Sequence, residues 1–182
     1  MFLGGRDLSN LRLRSLTLRS VSLTSISGLL SSATSLTELV LGFHTFFSPS
    51  AGMSFIANLQ GMHCLRYLDL AFGPLSSPSQ PLTPKEVVPL SKLTKFCYVG
   101  SSVFLDALVA GISAPYLQNV DVKFRDAIQP PTVHLSRFIG EIEEHYQIIH
   151  LCWFGDLFFR FSLCGRISRN MLIGGVGCVV LI

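Results

Sequence analysis

A six-residue pattern recurs five times along this chain of 182 residues and constrains its fold more than any other feature. In each copy the first, fourth and sixth positions are apolar. The copies are LRSLTL from Leu13, LTELVL from Leu36, LRYLDL from Leu65, LTKFCY from Leu93 and LQNVDV from Leu117. Their first positions follow one another at steps of 23, 29, 28 and 24 residues. Steps of about 20–29 residues are typical of leucine-rich repeats.

Strand geometry explains the spacing of the apolar positions. Successive side chains of a strand point to opposite faces, so the fourth and sixth positions point inward together. No single repeat can bury its apolar face alone, and neighbouring copies must cover one another. The predicted core pairs are Leu16 and Leu18, Leu39 and Leu41, Leu68 and Leu70, Phe96 and Tyr98, and Val120 and Val122. We therefore predict an α/β leucine-rich-repeat solenoid, with short parallel strands on its concave side and helices or loops on its convex side.

Most connections between the copies carry apolar residues at helical spacing. These are Ile26, Leu29 and Leu30; Phe55, Ile56 and Leu59; Leu105, Leu108, Val109 and Ile112; and Phe138, Ile139 and Ile142. The connection after the third copy differs, because prolines recur from Pro74 to Pro89. It is predicted to be an irregular surface loop with one turn near Pro84–Val88, either a plain linker or a functional excursion.

The last part of the chain departs from the repeat. A weaker sixth copy, IIHLCW, begins at Ile148, so we assign residues 1–152 to an array of about five to six repeats. Residues 153–182 are apolar and lack the step. Three interpretations of this tail are open: a strand pair that caps the array, a membrane-surface segment, or a disordered or non-native segment. We favour the third, and the stretch from Met171 is too short to span a bilayer.

The predicted core leaves the third, fifth and seventh positions of each copy on the concave face. Position eight adds three phenylalanines, which either form an aromatic line along one edge of that face or lie buried beneath the following loop. Exposed aromatic residues beside charged ones are typical of protein interfaces. The candidate partner-binding residues are Arg19, Glu38, Phe43, Tyr67, Asp69, Phe72, Lys95, Asp121, Lys123 and Phe124.

Charge and cysteine content argue against several classes of function. The 14 Lys and Arg residues are scattered among 11 Asp and Glu, for a net charge of +3. This pattern does not favour nucleic acid as a partner. The five cysteines form no C-x-x-C pair, which favours reduced thiols in the cytoplasm or nucleus. We expect no metal site and no cofactor, since the close pairs His63–Cys64 and His150–Cys152 lack the spacing of a tetrahedral site.

Motifs for catalysis are equally weak. The chain has neither a phosphate-binding G-x-x-x-x-G-K-[ST] loop nor a G-x-S-x-G nucleophile elbow. His134, His145 and His150 flank an acidic helix, but no nucleophile is paired with them. We expect a protein that is not an enzyme. The alternative is an enzyme whose site lies on the proline-rich loop or on the acidic helix.

The five copies, followed by HLSRFIGEIEEHYQIIHL, resemble the leucine-rich-repeat part of fungal F-box-type proteins over about residues 11–151. In that family an N-terminal F-box docks onto a cullin-based ubiquitin ligase and the repeats recruit the substrate. This chain begins almost directly with a repeat, so the resemblance implies the recognition function without an F-box. It implies a protein partner, such as a ubiquitylation substrate, and no catalytic residue. A membrane-associated scaffold anchored by the apolar tail is the alternative, although a membrane is the less favoured partner.

Overall fold

The computed structural model describes residues 13–43, 49–73, 86–125, 134, 137–138, 149–154, 158–164 and 178–181. Its strands are β1 (Ser15–Val21), β2 (Glu38–Phe43), β3 (Tyr67–Phe72), β4 (Val88–Pro89), β5 (Lys95–Gly100), β6 (Ile112–Ser113), β7 (Asn119–Phe124), β8 (Ile149–Phe154), β9 (Phe158–Cys164) and β10 (Cys178–Leu181). The helices are α1 (Leu23–Ser32), α2 (Pro49–Leu59) and α3 (Ser102–Ala110).

Each of the five sequence copies forms one strand of a parallel sheet, in the order β1-β2-β3-β5-β7. The strands pair so that equivalent positions of the copies lie side by side. The fourth positions form the row Leu16, Leu39, Leu68, Phe96 and Val120, and the sixth positions form the row Leu18, Leu41, Leu70, Tyr98 and Val122. The predicted α/β class with parallel strands is therefore confirmed.

The register is supported by a hydrogen-bond pattern that repeats just before each strand. The backbone N–H groups of Thr37 and Glu38 both donate to the carbonyl oxygen of Arg14, at 2.8 and 3.0 Å. The same pair of bonds joins Arg66 and Tyr67 to Thr37, and continues through the later copies. The carbonyl at the second position of each of the first four copies thus accepts two bonds from the next copy, which satisfies backbone groups that would otherwise lack partners.

The core lies on one face of this sheet, between the strands and the helices. The inward positions of β2, β3, β5 and β7 are buried, with Leu68 and Leu70 at 0% exposure. Their counterparts in β1, Leu16 and Leu18, are only partly buried, since β1 is the first strand of the sheet. The helices add Ile26, Leu30, Phe55, Ile56, Leu59, Phe104, Leu105 and Leu108 to the same core. The helical spacing seen in the connections is thus explained by packing onto the inner sheet face.

A short second ladder replaces part of the predicted proline-rich loop. Val88 N–H donates to Gly111 O at 2.9 Å and Leu90 N–H donates to Ser113 O at 2.7 Å, which joins β4 to β6. Pro89 lies between these two donors, at a position from which no N–H is required. Val88 is therefore in a strand, not in the predicted turn, and residues 74–85 lie outside the described residues.

The end of the described chain pairs in the opposite direction. β9 pairs antiparallel with β7, β8 with β9, and β10 with β8. The segment of the weaker sixth copy forms β8, which does not pair with β7, because β9 occupies the edge of β7 and β8 lies one strand further out. The predicted boundary after Cys152 falls inside β8. Residues 158–164 and 178–181 of the predicted tail form strands β9 and β10.

Two further expectations concern helices. The predicted amphipathic helix near Phe138 is helical at residues 134, 137 and 138, and Phe138 is buried against Phe96 with ring centroids 6.4 Å apart. Ile139 and Ile142 lie outside the described residues. Within the part of the chain that the structure describes, no helix is both long and apolar enough to cross a membrane.

Candidate functional site

The side chains at positions three, five and seven of the five copies lie on the sheet face opposite the core, which we call the outer sheet face. Its residues are exposed or half-buried, in alternation with the buried positions. They are Ser15, Thr17, Arg19, Glu38, Val40, Gly42, Tyr67, Asp69, Ala71, Lys95, Cys97, Val99, Asn119, Asp121 and Lys123. Because the fourth and sixth positions face the core, strand alternation places the third, fifth and seventh positions on the opposite face.

Three of the predicted residues form a cluster in the middle of the outer sheet face. The Tyr67 hydroxyl donates a hydrogen bond to Oδ2 of Asp69 at 3.1 Å. Lys95, the partner of Tyr67 in the register, places its Nζ 4.9 Å from the centre of the Tyr67 ring. A cation at this distance from an aromatic face is attracted by the ring quadrupole. The cluster of Tyr67, Asp69 and Lys95 is therefore arranged before any partner arrives.

Burial and neighbouring charges keep two groups of this region neutral. Burial raises the pKa of the Tyr67 hydroxyl, and Cys97 and Asp69 raise it further. Burial likewise raises the pKa of the Cys97 thiol, although a hydrogen bond with Tyr67 opposes the shift. The protonated hydroxyl remains a hydrogen-bond donor over the physiological range. The neutral thiol is a weak nucleophile, because the thiolate is the reactive form of cysteine.

The phenylalanines Phe43, Phe72 and Phe124 do not belong to this face. They are 3%, 1% and 1% exposed, so their placement among exposed partner-binding residues is wrong. The physical reason is that β2, β3 and β7 continue regularly to the eighth position, which shares its face with the fourth and sixth. The Phe72 ring stacks on Phe43 at 5.0 Å and contacts Phe104 at 4.8 Å. These rings stabilise the core.

The other predicted residues surround the central cluster. Glu38 is exposed and pairs in the register with Tyr67, while Asp121 is half-buried and pairs with Cys97. Arg19 and Lys123 are exposed near opposite margins of the parallel sheet, on β1 and β7. The structure thus brings Tyr67, Asp69 and Lys95 into contact and spreads the remaining charges over the same face.

A groove at the carboxyl ends of the strands was not predicted from the sequence. Its volume is about 570 Å³, and its floor is the seventh-position row Gly42, Ala71 and Val99. Arg19 and Arg125 both line it. The signal was present in the sequence, since three adjacent copies carry small or short side chains at the same position. The groove that these short side chains form becomes evident only when the three strands lie side by side.

Residues of the types that bind metal ions are not clustered in the described part of the chain. Within the described ranges, no group of three His, Cys, Asp or Glu residues could hold a metal ion. His134 is exposed, and His63 is exposed beside half-buried Cys64. His145, which flanks the predicted acidic helix, and Glu144 within that helix lie outside the described residues.

Comparison of the chain with protein-family models, with curated proteins and with solved structures finds no match. The resemblance to F-box-type proteins therefore rests on the hexamers and on the segment that follows them.

Proposed function

We propose that this chain is a leucine-rich-repeat solenoid whose outer sheet face captures a protein partner without catalysing a reaction. The equivalence of five sequence copies and five parallel strands in one register supports the repeat architecture. Stacked repeats of this kind present one extended surface, which is where such proteins bind their partners.

The central cluster of Tyr67, Asp69 and Lys95 is the observation that carries the proposal. Aromatic and charged residues in this arrangement are typical anchors of protein interfaces. The hydrogen bond at 3.1 Å and the cation–ring distance of 4.9 Å hold these side chains in place. Side chains that are already ordered lose less conformational entropy on binding, so the same contacts yield a higher affinity.

The resemblance stated above makes the proposal more specific. In that form the chain is the substrate-receptor part of an F-box-type ubiquitin-ligase adaptor, and its partner is a protein destined for ubiquitylation in the cytoplasm or nucleus. This form rests on the resemblance, whereas recognition by the outer sheet face rests on the geometry of the cluster. The two are tested by different readouts of one experiment.

The test is affinity capture from native lysate with three versions of the chain. The double variant Tyr67→Ala/Asp69→Ala removes both partners of this hydrogen bond together, so neither is left without the other. The matched control, Gln60→Ala/Glu86→Ala, also removes one neutral and one acidic side chain, both exposed and away from the outer sheet face. We expect the first variant to lose specific partners and the control to keep them. Far-UV circular dichroism checks that both variants fold.

Equal capture by wild type and by the Tyr67→Ala/Asp69→Ala variant would contradict recognition by this face. Ubiquitin-ligase components among the captured proteins would support the substrate-receptor form. Captured partners without ubiquitin-ligase components would indicate a recognition protein of another kind.

A further inference from the structure

The groove above the seventh-position row has a size suited to a ligand. Its volume of about 570 Å³ lies within the range of about 300–1,000 Å³ that is usual for binding clefts. The floor consists of Gly42, Ala71 and Val99, which are direct neighbours in the register of β2, β3 and β5. Because these side chains are absent or short, an extended backbone can lie close to the sheet.

A bulge in β1 positions one wall of the groove. The register of β1 against β2 shifts between Leu18 and Val21, and Ser20 has a φ of 60°, in the left-handed region. Bulges commonly redirect a side chain at the edge of a sheet. Here the bulge sets Arg19 against Gly42: a Cβ built on the glycine would lie 3.7 Å from Cγ of Arg19. The exposed Arg19 side chain thus begins at the floor of the groove.

The opposite wall is also basic. Arg125 follows directly after β7, and its backbone N–H donates to Gly100 O at 3.0 Å, which ties it to the end of β5. Outside the lining of the groove, exposed Lys123 pairs in the register with Val99 and adds positive charge to the same face. The acidic side chain in the lining is that of Asp69, whose Oδ2 already accepts the Tyr67 hydrogen bond. The groove therefore favours a ligand that carries negative charge at both ends.

Strand spacing determines the length of such a ligand. Four inter-strand steps of about 4.8 Å separate β1 from β7, a distance of about 19 Å along the sheet. An extended peptide advances about 3.3 Å per residue, so about six residues cross this distance. A nucleic-acid backbone fits less well, since Asp69 and Asp121 on the same face repel a continuous line of phosphates.

We propose that the groove binds an extended acidic peptide segment of a protein partner, laid across the strands, with one carboxylate at Arg19 and a second, about six residues away, at Arg125. Small side chains between the two carboxylates lie over Gly42 and Ala71. This inference rests on the proposed recognition function and names the chemistry of the partner.

The experiment selects random linear peptides, displayed on phage, on the full chain. We expect enrichment of Asp or Glu at two positions about six residues apart, with small residues between them. The enriched peptide is then synthesised with a fluorescent label, together with a version in which both acidic residues are replaced by their amides. The amide version and elevated salt are both expected to weaken binding in fluorescence anisotropy, because the attraction is ionic.

Charge reversal locates the binding site. Arg19→Glu and Arg125→Glu are each expected to raise the Kd of the acidic peptide roughly tenfold, which corresponds to about 1.4 kcal/mol. The control is Arg14→Glu, which makes the same change at an exposed arginine before β1, at the other end of the strand. It is expected to leave the Kd unchanged.

The inference is overturned if no acidic peptide is enriched, or if Arg14→Glu weakens binding as much as Arg19→Glu. It is also overturned if a labelled single-stranded RNA binds more tightly than the peptide in an Arg19-dependent manner. These outcomes are separable from a failure of the proposed function. If Tyr67→Ala/Asp69→Ala abolishes capture from lysate but the peptide selection shows no preference for acidic residues, the recognition function stands and only the acidic ligand is rejected.

Discussion

Gly100, at the end of β5, allows a decisive test of the packing that supports the outer sheet face. A Cβ built on this glycine would lie 2.6 Å from the Tyr98 hydroxyl oxygen, 2.9 Å from its Cζ and 3.1 Å from Cδ2 of Phe72. Tyr98 is 0% exposed, and its hydroxyl donates to Ser101 O at 2.8 Å. An alanine at position 100 therefore cannot fit unless the Tyr98 ring moves away from its hydrogen-bond partner.

The size of the effect follows from these contacts. Overpacking of a core costs about 1–3 kcal/mol. Loss of the hydrogen bond from the Tyr98 hydroxyl adds about 1 kcal/mol, so Gly100→Ala is expected to lower the free energy of unfolding by about 2–4 kcal/mol. Tyr98→Phe alone loses the hydrogen bond and is expected to cost about 1–2 kcal/mol.

The double variant separates the clash from other causes. Tyr98→Phe removes the atom at 2.6 Å, so the alanine meets only the contacts at 2.9 and 3.1 Å. The loss of unfolding free energy in Gly100→Ala/Tyr98→Phe is therefore expected to be smaller than the sum of the losses in the two single variants, by at least about 1 kcal/mol.

Urea unfolding followed by far-UV circular dichroism measures all the variants. The control is Gly28→Ala in α1, where nothing lies within 4 Å of the added Cβ. Since alanine has the higher helix propensity, this change is expected to stabilise the chain by about 0.5–1 kcal/mol. Strict additivity in the double variant, or unchanged stability of Gly100→Ala, would refute the packing described around Tyr98.

Further predictions test the core, the central cluster and the neighbouring Cys97. Leu68→Ala, at a fully buried position, is expected to cost about 3–5 kcal/mol in urea unfolding, and Leu16→Ala distinctly less because that side chain is partly exposed. The Tyr67 phenol is expected to ionise well above the ordinary tyrosine pKa of about 10, as read from the 295 nm absorbance difference between wild type and Tyr67→Phe. Because its folded-state pKa is raised, its contribution to stability is complete below about pH 10 and is lost at higher pH, so wild type should lose stability there faster than Tyr67→Phe. At pH near 8, Cys97 should react with iodoacetamide more slowly than a free cysteine in peptide mapping, since its thiol has a raised pKa and is half-buried; faster alkylation would contradict that burial.

Local pattern was sufficient to predict much of this molecule. The inward fourth and sixth positions and the apolar spacing of α1, α2 and α3 follow from periodicities within a few residues of each other, and the step between the copies follows from the recurrence of the hexamer. The structure confirms parallel strands in which Leu68 and Leu70 are buried while Tyr67 and Asp69 lie on the other face. This alternation depends on strand geometry alone, so the sequence determines it without reference to any other protein.

Tertiary structure decided what local periodicity leaves open. The eighth position is buried at Phe43 and Phe72 because the strands extend two residues beyond the hexamers, and the two rings stack on each other there. The edge of β7 pairs antiparallel with β9. The local pattern does not predict this direction, because either direction of pairing satisfies the backbone hydrogen bonds of β7.

The same distinction applies to the candidate site. The sequence by itself determined which side chains face outward, and the step of the repeat determined that they form rows. Only the register of separate strands brought Lys95 over Tyr67 and placed Gly42, Ala71 and Val99 in one groove between two arginines. Contacts between residues far apart in the chain depend on this register, which no single copy encodes.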